Sequence, residues 1–221
     1  MKKLVIVHVW ILALLILAPL MAQAGSSSSE EIGQVGALAG KVFVVREGER
    51  FALTEGAKLH AGDRIETDAA GTVKIIQKDG SILYVGTSSS LILMSHVRLS
   101  LMDGSVRVQT TGAFAVLMPD AQTIRSKATG TDFFVRTDKM NSEVMSTAET
   151  VAYRGRMVTP GVMAVAKDDG SVHMKLVSEE ESSMLLVGTG MNKIKDVAPL
   201  GYSKPDKKSG EKPLPDKSLL P

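Results

Sequence analysis

The chain has 221 residues, 44% of them hydrophobic and 23% charged, a globular rather than a disordered composition. Its formal net charge is +2; removing residues 1–24 takes away Lys2 and Lys3 and leaves 24 basic against 24 acidic side chains, which argues against a nucleic-acid binder, since that would need a basic surface. Cysteine is absent, which rules out a disulfide scaffold, a thiolate zinc site and a lipoprotein anchor.

The amino terminus reads as a targeting segment. Lys2 and Lys3 precede an apolar run from Leu4 to Ala18, followed by Pro19 and Ala22-Gln23-Ala24, a small-residue pattern suited to a signal peptidase cleft. The alternative is an uncleaved inner-membrane anchor over residues 4–21, close to the roughly 20 apolar residues that span hydrocarbon. Residues 25–34, opening with Gly25 and four serines, read as a flexible linker. Trp10 lies in the leader, so the mature chain is expected to lack tryptophan.

Residues 35–177 read as an all-β domain of short strands. Gly40-Lys-Val-Phe-Val-Val45, Gly71-Thr-Val-Lys-Ile-Ile76 and Ser81-Ile-Leu-Tyr-Val85 are runs of β-formers bounded by breakers. Ser105-Val-Arg-Val-Gln109 and Ser171-Val-His-Met-Lys-Leu176 alternate apolar and polar residues, which predicts one buried and one solvated face. The triplet Asp-Gly-Ser occurs at 79–81, 103–105 and 169–171, each between strand-like runs, and predicts three tight turns. Strands every 8 to 12 residues or so fit a sandwich or a solenoid-like stack. Residues 178–202 read as an extension with one short helix. Residues 203–221, rich in Lys and Pro, read as a disordered tail dispensable for folding.

Taken in order, Leu59-His-Ala-Gly62-Asp63-Arg-Ile65-Glu-Thr67, the Asp79-Gly80-Ser81 turn and Ala128-Thr-Gly130-Thr131-Asp-Phe133-Phe-Val135 are more specific than any one of them. Over roughly residues 35–165 this resembles the FecR domain family, with its Gly-Asp-x-Ile-x-Thr and Ala-x-Gly-Thr-x-Phe-x-Val pieces. The resemblance implies an all-β periplasmic domain that binds other proteins. Family members in iron-uptake signalling carry a cytoplasmic anti-sigma bundle before a membrane segment. Only three residues precede the apolar run here, so no contact with a cytoplasmic sigma factor is expected.

Little in the chain points to catalysis. His60, His96 and His173 show no metal-ligand spacing. No Gly-x-Ser-x-Gly elbow occurs. Asp168-Asp169 sits in a turn context, and Gly33–Gly36 and Gly188-Thr-Gly190 lack the strand-loop-helix setting of a nucleotide site. Met145, Met157, Met163 and Met174 stand at apolar strand positions and read as core filler. The expectation is an exported, non-catalytic binding or scaffolding module with no catalytic residue, metal or cofactor. Its partner would be another envelope protein or a cell-wall polymer, and not nucleic acid. The competing readings are the anchored signalling subunit and an envelope hydrolase with an unrecognised site.

Export should remove residues 1–24. Mass spectrometry of the exported protein is expected to find Gly25 at the amino terminus; retention of Met1 or Lys2 would support the anchored form instead.

Overall fold

A computed structural model describes residues 29–127, 130–138 and 141–194. The leader (1–24) and the tail (203–221) lie outside the described residues. No helix among the described residues is long and apolar enough to cross a membrane.

The described residues form 17 strands, as the runs of β-branched residues and glycine punctuation predict. They are β1 (Glu31–Ala39), β2 (Val42–Arg46), β3 (Glu49–Ala52), β4 (Lys58–His60), β5 (Arg64–Thr67), β6 (Thr72–Gln77), β7 (Ile82–Val85), β8 (Ser90–Ser95) and β9 (Arg98–Gln109). Then come β10 (Phe114–Leu117), β11 (Thr123–Ser126), β12 (Asp132–Thr137), β13 (Asn141–Ala148), β14 (Val151–Tyr153), β15 (Arg156–Val158), β16 (Val162–Lys167) and β17 (Val172–Leu176). One helix, α1 (Glu179–Gly188), and a 3-10 turn at Met191–Lys193 follow.

The strands lie in two layers. Sheet A runs β4-β1-β6-β7-β9-β12-β13-β16-β17, all antiparallel. Sheet B runs β3-β2-β5-β8-β9-β10-β11-β14-β15, antiparallel except where β10 joins β9 in parallel. The inner faces meet in one apolar core that includes Val42, Ile65, Leu91 and Val116 from sheet B and Val73, Leu83, Phe133 and Val135 from sheet A. The all-β expectation holds, in a two-layer form whose chain changes sheet after every one or two strands.

Strand β9 belongs to both layers. Its first half pairs with β8 and β10, and its second half with β7 and β12. The passage lies at Asp103-Gly104-Ser105. The sequence predicts a hairpin turn there, and this expectation is corrected: the triplet bends one continuous strand. Gly104 has φ +87°, and a Cβ on it would lie 2.2 Å from Ser89 Oγ. The other two triplets do form turns, with Asp79 and Asp169 carboxylates accepting the amides of Ser81 and Ser171 at 2.9 and 2.8 Å.

Three further expectations are revised. Strand β1 begins at Glu31, inside the expected linker, because Ile32 and Val35 both enter the core. Gly33 allows this, since a Cβ there would meet Ile76 O at 2.7 Å. Residues 178–194 are integral to the folded unit rather than an extension: Leu186, Met191 and Ile194 cover the outer face of sheet A, packing on Tyr84, Phe134, Met145 and Met163. Finally, Met145 and Met163 are buried, but Met157 and Met174 are exposed, because β15 and β17 are edge strands. The same edge position leaves Leu176 83% exposed, so the alternation of β17 does not bury an apolar face.

Two glycines should respond differently to substitution. Gly104→Ala meets both a left-handed backbone and the Ser89 side chain and should cost about 3 kcal/mol or more. Gly130, at φ +76° with no atom within 4 Å of a built Cβ, is limited by backbone conformation alone. Gly130→Val should therefore cost on the order of 1–3 kcal/mol. Denaturant unfolding that ranks Gly130→Val as the more damaging would show that the β9 passage is slack.

Candidate functional site

The residues carrying the family resemblance are taken up by the scaffold. Gly62 forms the turn before β5 at φ +91°, and its amide donates to Leu93 O at 2.7 Å. Asp63 is buried, and its two carboxylate oxygens each accept a hydrogen bond from Arg46, through Nε and Nη2, at 2.7 Å. It also accepts the His60 backbone amide at 2.8 Å. The bidentate geometry is the strong form of this pair, and it raises the already high pKa of Arg46. Ile65 points into the core. Thr67 Oγ1 donates to Gly86 O at 2.7 Å and accepts the Ser89 amide at 2.8 Å. In the second piece, Phe133 and Val135 enter the core while Phe134 turns outward beneath the carboxy-terminal segment.

A second buried pair escapes a reading of the sequence. Arg107, 1% exposed, lies between Tyr84 and Phe134 in the ladder of sheet A. Its Nε and Nη2 donate to Asp132 at 2.9 and 2.6 Å, and Gln109 donates to the same carboxylate at 3.0 Å. Alternation marks Arg107 as a solvated residue; the carboxy-terminal segment over that face buries it. Losing one partner of such a pair is expected to be far more damaging than the pair is stabilising. The only legible signal is the presence of Asp132 two registers along on a neighbouring strand, which needs the topology to be seen.

The candidate catalytic groups are not brought together. His60 ends β4, His96 lies between β8 and β9, and His173 is exposed on β17. No cluster of three His, Asp or Glu side chains that could hold a metal ion occurs among the described residues.

What the fold does assemble is a cleft of about 510 Å³ at one end of the two layers. Asp103, Asp120, Asp138 and Asp168 line it with Asn141 and Arg154. The carboxylates are anchored locally: Asp120 pairs with Arg154, and Asp138 accepts the Asn141 amide at 2.7 Å. Thr137 and Ser142 also line it, with their hydroxyls 3.1 Å apart. The neighbouring Tyr153 is fully buried, and its hydroxyl has no hydrogen-bond partner of normal geometry among the described residues, with Arg154 and Ser142 nearby. The cleft can accept hydrogen bonds and attract cationic groups, and its lining among the described residues holds neither histidine nor cysteine.

No protein-family model matches the chain, and no curated protein matches it. Among solved structures it is similar to two crystal structures of a candidate anti-sigma factor from Parabacteroides distasonis. One has 10% identity and a TM-score of 0.48, the other 12% and 0.46; each match covers 57% of this chain and 65% or 64% of that one. The chain thus spans just under two thirds of the length of those structures. A cell surface anchoring domain matches with 27% identity over 29% of this chain and 87% of its own, at a TM-score of 0.29.

Burial pushes the Tyr153 phenol above its usual value near 10. Above that pH the unfolded chain gives up the proton while the folded chain keeps it. Stability is therefore full below pH 10 and falls as pH rises towards the folded value. Tyr153→Phe should lie within about 1 kcal/mol of the parent at neutral pH, since the hydroxyl makes no hydrogen bond of normal geometry among the described residues. It should also show a smaller alkaline fall in Tm. Equal falls in both proteins would mean that the phenol reaches solvent.

Proposed function

We propose that the chain is an exported, non-catalytic binding module of the bacterial cell envelope, of the FecR-domain type. The observation that carries this reading is how the conspicuous polar residues are used. Asp63, Thr67, Arg107 and Asp132 are consumed in holding strands together. Enzymes gather free acids, bases or nucleophiles in one cleft; in the cleft here Asp120 is paired with Arg154, and Asp103 and Asp138 accept backbone amides. What remains is a rigid two-layer frame with loops and sheet faces available for recognition, the usual division of labour in a binding domain. The motifs resembling the family supply the core and turns, so they support a shared scaffold; the leader supports export.

Replacing His60, His96 and His173 together by Gln tests the reading against a hydrolase. A folded triple variant is expected to complement a deletion strain fully, and to co-purify the same envelope partners as the parent. Loss of function in the folded variant would point to histidine chemistry and overturn the proposal.

A further inference from the structure

The outer faces of the two sheets differ. Sheet A is sealed by α1 and the 3-10 turn, whereas sheet B carries a row of side chains set by strand register. Arg98 of β9 stands opposite Ala115 of β10, which stands opposite Arg125 of β11, which stands opposite Ala152 of β14. The two arginines are thus separated by one small residue. Because alternate residues share a face, Lys127 follows Arg125 on the same side. A groove of about 510 Å³ opens here, with Val97, Ala113 and Ala115 beside Arg98, Arg125 and Lys127, and among the described residues no carboxylate lines it.

Six of the seven other arginines among the described residues are paired, Arg156 being the exception. Arg46, Arg50, Arg64, Arg107, Arg136 and Arg154 each form an ion pair. Among the described residues Arg98, Arg125 and Lys127 form none. Three cations without an ion pair among the described residues, around an apolar recess in a chain whose body is close to neutral, are a local concentration of positive charge. Guanidinium forks match carboxylates in bidentate geometry. A recess, unlike a flat basic patch, admits a chain rather than a bilayer surface.

Building on the binding-module reading, we propose that this groove docks an acidic, extended segment of a partner protein carrying two carboxylates three residues apart. The spacing follows from the sheet. Neighbouring strands lie about 4.8 Å apart, so Arg98 and Arg125, two strands apart, are separated by roughly 10 Å at the backbone. A polyproline-type segment rises about 3.1 Å per residue with three residues per turn, placing side chains i and i+3 on one side roughly 9 Å apart. Val97, Ala113 and Ala115 would receive the apolar residues between them.

The test uses the mature full chain, labelled with nitrogen-15, and a blocked hexapeptide of sequence Pro-Glu-Pro-Ala-Glu-Pro. Saturable amide shifts are expected at Arg98, Ala115 and Arg125, with affinity in the millimolar range or better, roughly 4 kcal/mol or more. Affinity should fall at least about tenfold in Arg125→Glu and by a smaller factor in the milder Arg125→Gln, which guards against a folding defect. The Gln-for-Glu peptide should not bind. Arg156→Gln, outside the groove, should bind as the parent does. Equal binding of the neutral peptide, shifts confined to other surfaces, or no groove shift at about 5 mM peptide would overturn the proposal. So would sedimentation with phosphatidylglycerol vesicles that Arg125→Glu abolishes, since that would make the groove a membrane contact. Envelope partners that still co-purify after any of these failures would leave the binding-module reading standing.

Discussion

The passage of β9 from one sheet to the other is the constraint on which the two-layer arrangement depends. Both sheets run through this strand, and each would end in an unpaired edge without it. The bend is held by short polar side chains. Thr67 at the end of the Gly-Asp-x-Ile-x-Thr piece accepts the Ser89 amide at 2.8 Å, and Ser89 Oγ accepts the Ser105 amide at 2.9 Å. A buried relay therefore joins the most specific motif of the chain to the crossing point of its longest strand. Each member satisfies a backbone group that the bend would otherwise strand in the interior, where an unpaired amide costs about 1–3 kcal/mol. The relay explains why the position beside it is glycine.

From that crossing, the period-two geometry of each sheet A strand creates two interiors. Leu83, Phe133 and Val144 face the inner core, while their neighbours Tyr84, Phe134 and Met145 face outward. An outer face this apolar needs a cover. Helix α1 supplies it, although its sequence is barely amphipathic. Ser178 caps its first turn by accepting the Glu181 amide, and three glutamates sit at the end of the helix that favours negative charge. Beyond the helix, Thr189 O accepts the Thr87 amide at 2.9 Å and ties the segment to the sheet. The cover changes the meaning of Arg107: beneath it a strand residue of ordinary appearance becomes a buried charge that requires Asp132.

The resulting molecule is electrically uneven even though its body is close to neutral. Carboxylates gather around the cleft between Asp103 and Asp168, and cations without an ion pair among the described residues stand on the outer face of sheet B. Strands β9, β10 and β11 run from one region to the other, so the two charged surfaces are fixed relative to each other by hydrogen-bonded backbone. Such segregation favours recognition of charged partners and orients their approach, with a strength that falls as salt screens it.

By itself the sequence determined the fold class and most of the inner core. Strand alternation and glycine punctuation are local properties, and residues such as Ile65, Phe133 and Val135 state their burial through their neighbours. The same local rules located the Asp79 and Asp169 turns. They misread Asp103-Gly104-Ser105, because a left-handed glycine serves a bend within a strand as well as a turn between strands, and only pairing partners decide which. They also could not reach the burial of Arg107, the exposure of Met157 and Met174, or the alignment of Arg98 with Arg125. Each of these depends on which distant segment lies above or beside a residue: a carboxy-terminal helix in the first case, the absence of a further strand in the second, a parallel register between β9 and β10 in the third. Tertiary structure alone settles such questions, because burial and pairing are properties of neighbours that the chain brings together only by folding.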